Sequence, residues 1–261
     1  MIVAGVDVGS RSAKALVLRD DEIVCWSTIL TSPDVPGTAT KVLGQALDRA
    51  GVPMDGLDNV VATGYGRANV PFARSDVTEI SCHARGTHRL FPEVRTILDM
   101  GGQDCKAIRC DERGRLVDFV MNDKCAAGTG RFLERVARTL ELPLEDIGPM
   151  SMKVIEEPAL INSYCAVFAE GDIVRLLRRG KHPEDILAGA CEAITKRIMT
   201  LLKRVGIEEG FSISGGVAKN IGIVSRLEQA TGLKARIAFD PQIIGALGAA
   251  VFAQEKRLSI V

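Results

Sequence analysis

The chain has 261 residues, with 33 basic residues against 33 acidic and no long run of either sign. That balance excludes the electrostatic footprint of a nucleic-acid or anionic-membrane binder and favours small-molecule or protein partners. The opening Met1-Ile2-Val3-Ala4-Gly5-Val6-Asp7 has no basic segment ahead of an apolar run. No uncharged apolar stretch reaches the roughly 18 residues of a membrane span, so a cytoplasmic location is expected.

Residues 2–8 read as a strand, 9–12 as a turn and 13–18 as the hairpin partner, with 23–30 a third strand of the same meander. Residues 40–50 set Val42, Leu43, Ala46 and Leu47 on one helical face, stopped by Gly51. A buried strand at 59–63 runs into Gly64-Tyr65-Gly66, and Tyr65, Arg67, His83 and Arg85 are expected in turns. A second cycle follows, with strands at 94–100, 105–110 and 116–121 joined by Gly101-Gly102-Gln103-Asp104 and by Asp111-Glu112-Arg113-Gly114. Strand, aspartate, glycine turn, strand, acidic turn and strand thus occur twice, about 92 residues apart from Asp7 to Asp99, the mark of an internal duplication. Helices are expected at 130–140, 170–179, 183–205, 218–231 and 244–258, and short strands at 211–214 and 235–239.

In Asp7-Val8-Gly9-Ser10-Arg11-Ser12-Ala13-Lys14 a carboxylate ends a buried strand and a glycine opens the turn. Backbone amides and the hydroxyls of Ser10 and Ser12 can then face an anion such as phosphate. Asp99-Met100-Gly101-Gly102-Gln103-Asp104-Cys105-Lys106 repeats the design. A carboxylate beside phosphates needs an intervening cation, which makes Asp7 and Asp99 candidate outer ligands of a hydrated Mg2+. Asp7, Asp99 and Gln103 form the candidate catalytic set. The candidate ATP-binding residues are Gly9, Ser10, Ser12, Lys14, Gly101, Gly102 and Lys106, joined by Gly215, Gly216 and Lys219 of a third strand-to-glycine turn suited to an adenosine. Neither the Gly-x-Gly-x-x-Gly fingerprint nor a P-loop is present. The pattern resembles the superfamily of acetate and sugar kinases, heat-shock chaperones and actin. That resemblance implies a two-lobed α/β fold, actin-like and ribonuclease H-like, with duplicated mixed sheets flanked by helices and ATP between the lobes. The lobes are expected at 1–90, to which the closing helix 244–261 returns, and at 91–243.

Seven scattered cysteines, an odd number without a CxxC pair, do not read as a disulfide framework. Cys125 and Cys165 each stand on a small-residue turn ahead of a helix, where free amides and the helix dipole stabilise a thiolate. A 4Fe-4S cluster takes four thiolates, and one chain offers two in such settings, so a symmetric dimer would complete the set. Cys25, Cys82, Cys105, Cys110 and Cys191 read as small packing residues.

Seven stretches carry a closer resemblance: Asp7-Val8-Gly9-Ser10, Ala62-Thr63-Gly64-Tyr65-Gly66-Arg67, Glu79-Ile80-Ser81-Cys82-His83-Ala84, Gly101-Gly102-Gln103-Asp104, residues 122–133, Cys165-Ala166-Val167-Phe168-Ala169-Glu170 and Gly215-Gly216-Val217-Ala218. In order, they resemble the activators of 2-hydroxyacyl-CoA dehydratases and the ATPase subunits of benzoyl-CoA reductase. That resemblance implies ATP hydrolysis coupled to one-electron transfer at low potential. Cys125 and Cys165 would ligate one 4Fe-4S cluster shared by a homodimer, or by this chain and a homologous subunit. Ferredoxin or flavodoxin would be the donor, and a CoA-ester dehydratase or reductase the acceptor. Glu134 and Glu170, on the helices that follow the two cysteines, would couple cluster to nucleotide or simply form ion pairs. Two other classes fit the nucleotide motifs, a small-molecule kinase and a non-redox nucleotide-switched scaffold, and both predict iron-free protein.

Overall fold

The computed structural model describes residues 1–122 and 128–258, with side chains to residue 255. The chain divides into two compact units, one of residues 1–94, 110–117 and 238–261, the other of residues 95–109 and 118–237.

The first unit is built on a five-stranded sheet. Its strands are β1 (Ile2–Val8), β2 (Ser12–Arg19), β3 (Glu22–Leu30), β4 (Asn59–Thr63) and β5 (Ser75–Asp76), in the order β3-β2-β1-β4-β5. The hairpins β1–β2 and β2–β3 are antiparallel, whereas β4 runs parallel to β1. Both faces of the sheet are covered, which is why β1 is apolar from Ile2 to Val6, ahead of Asp7. Ala4, Val6 and Val8 pack toward Val42, Leu43, Ala46 and Leu47 of α1 (Val35–Ala50). On the other face, Val3, Leu16 and Val61 pack with Ala246, Leu247 and Ala250 of α8 (Ile244–Leu258).

Two elements here depart from the sequence reading. Helix α1 starts at Val35, ahead of the expected residue 40, because the Asp34 carboxylate caps Gly37 N–H at 3.0 Å and Pro36 occupies the first turn, where its missing N–H costs nothing. A whole helix, α2 (Glu79–Leu90), stands where turns were expected, capped by Thr78 on Ser81 N–H. His83 and Arg85 therefore lie on a helix, His83 buried and Arg85 paired with Glu255 of α8. Tyr65 does sit on a turn and is exposed, and Arg67 pairs with Asp76 at 3.0 Å.

The second unit repeats the plan. Its sheet consists of β6 (Thr96–Met100), β7 (Cys105–Cys110), β8 (Leu116–Asn122), β9 (Phe211–Ser214) and β10 (Ala235–Arg236), ordered β10-β9-β6-β7-β8, with β6 antiparallel to β7 and parallel to β9. The duplication thus extends past the three-strand cycle to a fourth and fifth strand in each unit. Around the sheet are α3 (Gly130–Leu140), α4 (Ile147–Ser151), α5 (Ala166–Arg178), α6 (Pro183–Val205) and α7 (Ile221–Thr231). Its core joins Leu98 and Ile213 of the strands to Phe132, Ile173, Ile194 and Ile198 of the helices, each such side chain contributing about 1.5–3 kcal/mol of burial. Helix α5 begins at Ala166 rather than 170. The expected helix at 218–231 is a 3-10 turn, Gly216–Lys219, followed by α7, which Asn220 caps on Ile223 N–H. The strand expected at 235–239 is confined to Ala235–Arg236.

Candidate functional site

Each unit carries the same hairpin at the end of its first strand. In the first, Asp7 faces Lys14 across the β1–β2 register, and Lys14 Nζ lies 3.2 Å from Asp7 Oδ2. In the second, Asp99 faces Lys106, with Nζ 3.5 Å from Asp99 Oδ2 and 2.8 Å from Asp104 Oδ1. The turns close alike, Gly9 N–H donating to Ser12 O at 3.2 Å and Gly101 N–H to Asp104 O at 3.0 Å. Lys14 and Lys106 therefore pair with carboxylates of their own hairpins.

A parallel strand completes each site. Thr63 of β4 is the register partner of Asp7, and Ser214 of β9 that of Asp99. A left-handed glycine follows each, Gly64 at φ +88 and Gly215 at φ +83. A Cβ on Gly64 would collide with Asp7 Oδ1 and the Val8 carbonyl, and one on Gly215 would stand 2.7 Å from the Met100 carbonyl carbon and 2.9 Å from Asp99 Oδ1. Gly215, expected to accommodate an adenosine, is thus already required by its own chain. Gly216 and Lys219 are exposed on the same turn, as are Ser10 and Gln103 on theirs, while Ser12 is half-buried.

The two aspartates differ. Ser214 Oγ donates to Asp99 Oδ1 at 3.0 Å, whereas the Thr63 hydroxyl turns away to Val77 O at 2.9 Å. Asp7 Oδ1 is consequently buried without a hydrogen-bond partner. A buried carboxylate oxygen left open costs about 1–3 kcal/mol unless a donor or a cation reaches it, and a hydrated cation is suited to that position.

Of the two cysteines expected to bind metal, Cys125 lies outside the described residues. Cys165 stands at the N-cap of α5. The N–H groups of Phe168 and Val167 face its sulfur and, with a smaller contribution from Arg135, hold the thiol below its ordinary pKa against the opposing effect of burial. Asn162 Oδ1 shapes the turn by accepting from the N–H groups of Tyr164 and Cys165, both at 2.9 Å. Asp172 on α5 in turn accepts from Asn162 N–H at 3.0 Å. Around Cys165 the surface is apolar and open, Tyr164 being 76% and Phe168 67% exposed.

Helix α3 uses its start differently: Gly130 N–H donates to Gly101 O at 3.0 Å and Arg131 N–H to Gly102 O at 2.9 Å. These amides serve the second hairpin. Glu170, read as a coupling residue or an ion pair, joins α5 to α3 through Arg135 at 2.9 Å.

The remaining cysteines pack. Cys25 Sγ donates to Ala46 O at 2.9 Å and Cys105 Sγ to Gly128 O at 2.7 Å, while Cys82, Cys110 and Cys191 are buried. Burial, then the Asp99 and Asp104 carboxylates, push the Cys105 thiol well up, and burial likewise raises Cys25 and Cys191.

Two copies of a five-stranded sheet, each with an aspartate–glycine hairpin and a left-handed glycine on the neighbouring parallel strand, define the actin-like ATPase fold. The chain belongs to the BadF/BadG/BcrA/BcrD ATPase family, which it matches over residues 4–253. It is 40% identical to the 2-hydroxyisocaproyl-CoA dehydratase activator of Clostridioides difficile, over 97% of this chain and 95% of that protein. It is 32% identical to a benzoyl-CoA reductase subunit of Thauera aromatica, over 96% of this chain and 92% of that one. A solved structure, the activator of 2-hydroxyisocaproyl-CoA dehydratase from Clostridium difficile with bound ADPNP, superposes with a TM-score of 0.94 at 38% identity, covering all of this chain and 97% of the other.

Proposed function

We propose that this protein is an ATP-hydrolysing, one-electron activator of a 2-hydroxyacyl-CoA dehydratase. The observation that carries the redox half of this reading is Cys165, an accessible thiol held toward the thiolate at an open helix start and ringed by exposed apolar side chains. A thiolate in that setting is a metal ligand, and the apolar ring favours burial against a second copy of the chain. A 4Fe-4S cluster held by Cys125 and Cys165 of two copies would supply the one-electron carrier.

ATP is the proposed ligand of the two hairpins. Ser10 and Ser12 would offer hydroxyls and Gly102 a turn amide to phosphate, while Gly9 and Gly101, whose own N–H groups close the turns, let the backbone approach it, and Asp7, with Asp99, would orient the hydrated Mg2+ that accompanies it. Asp7 suits this best, because its Oδ1 is the open oxygen. Gly215, Gly216 and Lys219 serve the adenosine side, and Gln103 serves the terminal phosphate from its exposed turn.

A route from nucleotide to cysteine lies within the second unit. Movement of the Gly101–Gly102 turn shifts the carbonyls that hold the start of α3, and the Arg135–Glu170 pair passes that shift to α5, whose first turn sets Cys165. Nucleotide states that favour different turn positions thereby favour different settings of the thiolate. The electron donor would be a ferredoxin or flavodoxin. The higher identity to a dehydratase activator than to the benzoyl-CoA reductase subunit, 40% against 32%, favours the dehydratase as acceptor.

Iron and acid-labile sulfide, measured on anaerobically purified protein, test the reading. About four of each per dimer are expected, lost in both Cys125→Ser and Cys165→Ser. Iron-free protein after anaerobic reconstitution would refute it and leave a kinase or a nucleotide switch.

A further inference from the structure

The second unit holds a cleft of about 680 Å³, and none of the residues lining it belongs to a hairpin, to the Gly215 turn or to the turn that carries Cys165. That volume falls within the roughly 300–1,000 Å³ of small-molecule sites. One wall is α6, where residues 192, 196, 199 and 203 recur on a single face at helical spacing. A second wall is α7, and the third is the segment 151–158 that includes the end of α4. Helices α4 and α7 meet closely at one end, since a Cβ on Gly222 would strike Ser151 Oγ. One turn on, Arg226 reaches across to Ser151, and beyond it Gln229 and Ala230 line the cleft.

The charged groups of this lining are mostly cationic. Lys196, Lys203 and Arg226 stand against one carboxylate, Glu192. Arg226 is preorganised, its Nη1 donating to Gly222 O and its Nη2 to Ser151 O, both at 2.9 Å. Its Nε–H and the second N–H on Nη2 have no partner among the described residues. Lys196 and Lys203 are exposed and enter no ion pair among the described residues, whereas Lys14, Lys106, Lys181 and Lys234 each pair with a carboxylate. Three cations around one cleft with a single counter-charge make a field that an anion relieves. That excess of positive charge suits a phosphate monoester, which carries about −1.5 to −2 at pH 7, better than a single carboxylate. Val154, Pro158 and Met199 make much of the remaining lining apolar, so the body that carries the phosphate is apolar as well.

We propose that the cleft binds an organic phosphate monoester with an apolar body, seating the phosphate among Lys196, Lys203 and Arg226 and the body against Val154, Pro158 and Met199. The site stands apart from the ATPase and redox readings and needs neither. Ser225 and Gln229 add neutral hydrogen-bonding groups from α7. An occupant ties α6 to α7 as Arg226 ties α7 to the end of α4, so binding stabilises the second unit by mass action.

The test titrates full-length protein, saturated with ADPNP to keep the proposed nucleotide site occupied, and reads binding by calorimetry. Two probes of the class are used, flavin mononucleotide and coenzyme A. Riboflavin and dephospho-coenzyme A, which lack only the phosphate monoester, are their matched controls. A Kd of about 100 μM or tighter is expected for at least one probe, about 10-fold or more tighter than for its control. Lys196→Glu combined with Lys203→Glu, both at exposed positions, should weaken that probe by about 10-fold or more. Ser225→Trp should weaken it similarly by filling the cleft while all three basic groups stay in place. Binding of both probes weaker than about 1 mM would overturn the inference. So would a control, the lysine double variant or Ser225→Trp giving a Kd within about 3-fold of that for the probe on the parent. A parent that fails to bind ADPNP counts against the ATPase reading alone, since the cleft shares no residue with the hairpins.

Discussion

The buried lysine of the second hairpin offers the sharpest test of how the fold is held. Lys106 is 1% exposed, and its Nζ approaches Asp99 at 3.5 Å and Asp104 at 2.8 Å. Asp99 is itself 2% exposed. Lys106→Met keeps the length and apolar stem but strands a buried carboxylate, with Ser214 Oγ still donating to it at 3.0 Å. Breaking a buried pair from one side costs about 3–5 kcal/mol, because the remaining charge is uncompensated. Lys14→Met, in a pair whose lysine side chain is 13% exposed, should cost less, about 1–2 kcal/mol. The assay is urea unfolding followed by far-UV circular dichroism. With a slope of about 2 kcal/mol per molar, the Lys106→Met midpoint for the second unit should fall by about 1.5–2.5 M. Adding Asp99→Asn should recover most of the loss, since a neutral amide still accepts from Ser214 and the one carboxylate left without its lysine, Asp104, is partly exposed to solvent. A midpoint within about 0.3 M of the parent, or a double variant no better than the single, would refute the reasoning.

Two further outcomes follow from the glycines and from Cys165. Gly215→Ala should destabilise by more than about 2 kcal/mol, because φ is +83 and the new Cβ would press on the Met100 carbonyl carbon at 2.7 Å. Gly171→Ala, on α5 with open space around it, should instead stabilise by about 0.5–1 kcal/mol. Both are read by the same urea midpoint, and equal shifts would contradict the argument. The Cys165 thiol is lowered from 9.0 by the Phe168 and Val167 N–H groups, whereas Cys25 is raised by burial. Favouring the thiolate raises its fraction at neutral pH, so iodoacetamide should modify Cys165 of reduced, metal-free protein before Cys25, with a pH–rate midpoint below 9.0. Faster modification of Cys25, resolved by mass spectrometry, would count against the electrostatics described.

The sequence displays most of the fold because its elements are punctuated. The strands Asn59–Thr63 and Cys105–Cys110 and the helices Gly130–Leu140 and Pro183–Val205 are bounded by glycine, proline or charged turns, and alternation or helical spacing marks their interiors. Helix α2 is hidden because its inner face is made of Cys82, His83, Gly86 and Thr87. A helix that packs backbone to backbone needs small residues there, and small residues leave no apolar stripe to read. The start of α5 is hidden for the opposite reason, since Val167 and Phe168 are exposed apolar residues on what would be its polar face. In the hairpins, the aspartates, glycines and lysines are visible as a motif. That each lysine pairs with its own aspartate depends on antiparallel register, which the residue types alone do not contain.

Register also shows how the duplicated hairpins have come to differ. Both first strands end in a buried aspartate opposite a lysine, and both receive a hydroxyl-bearing residue from the parallel strand, Thr63 or Ser214. In the second unit the hydroxyl satisfies the aspartate, and the hairpin's turn carbonyls are bonded to the start of α3. In the first unit the hydroxyl is spent on Val77, one oxygen of Asp7 is open, and the other pairs with Lys14. A satisfied carboxylate is a poor partner for a hydrated cation, whereas an open one is poised for it. The physical division is then between a first hairpin with an open carboxylate oxygen and a second one whose turn carbonyls are tied to a helix start. On the proposed function, only the second hairpin can relay a nucleotide's position toward Cys165, because among the described residues the first hairpin's turn carries no helix start comparable to Gly130 and Arg131.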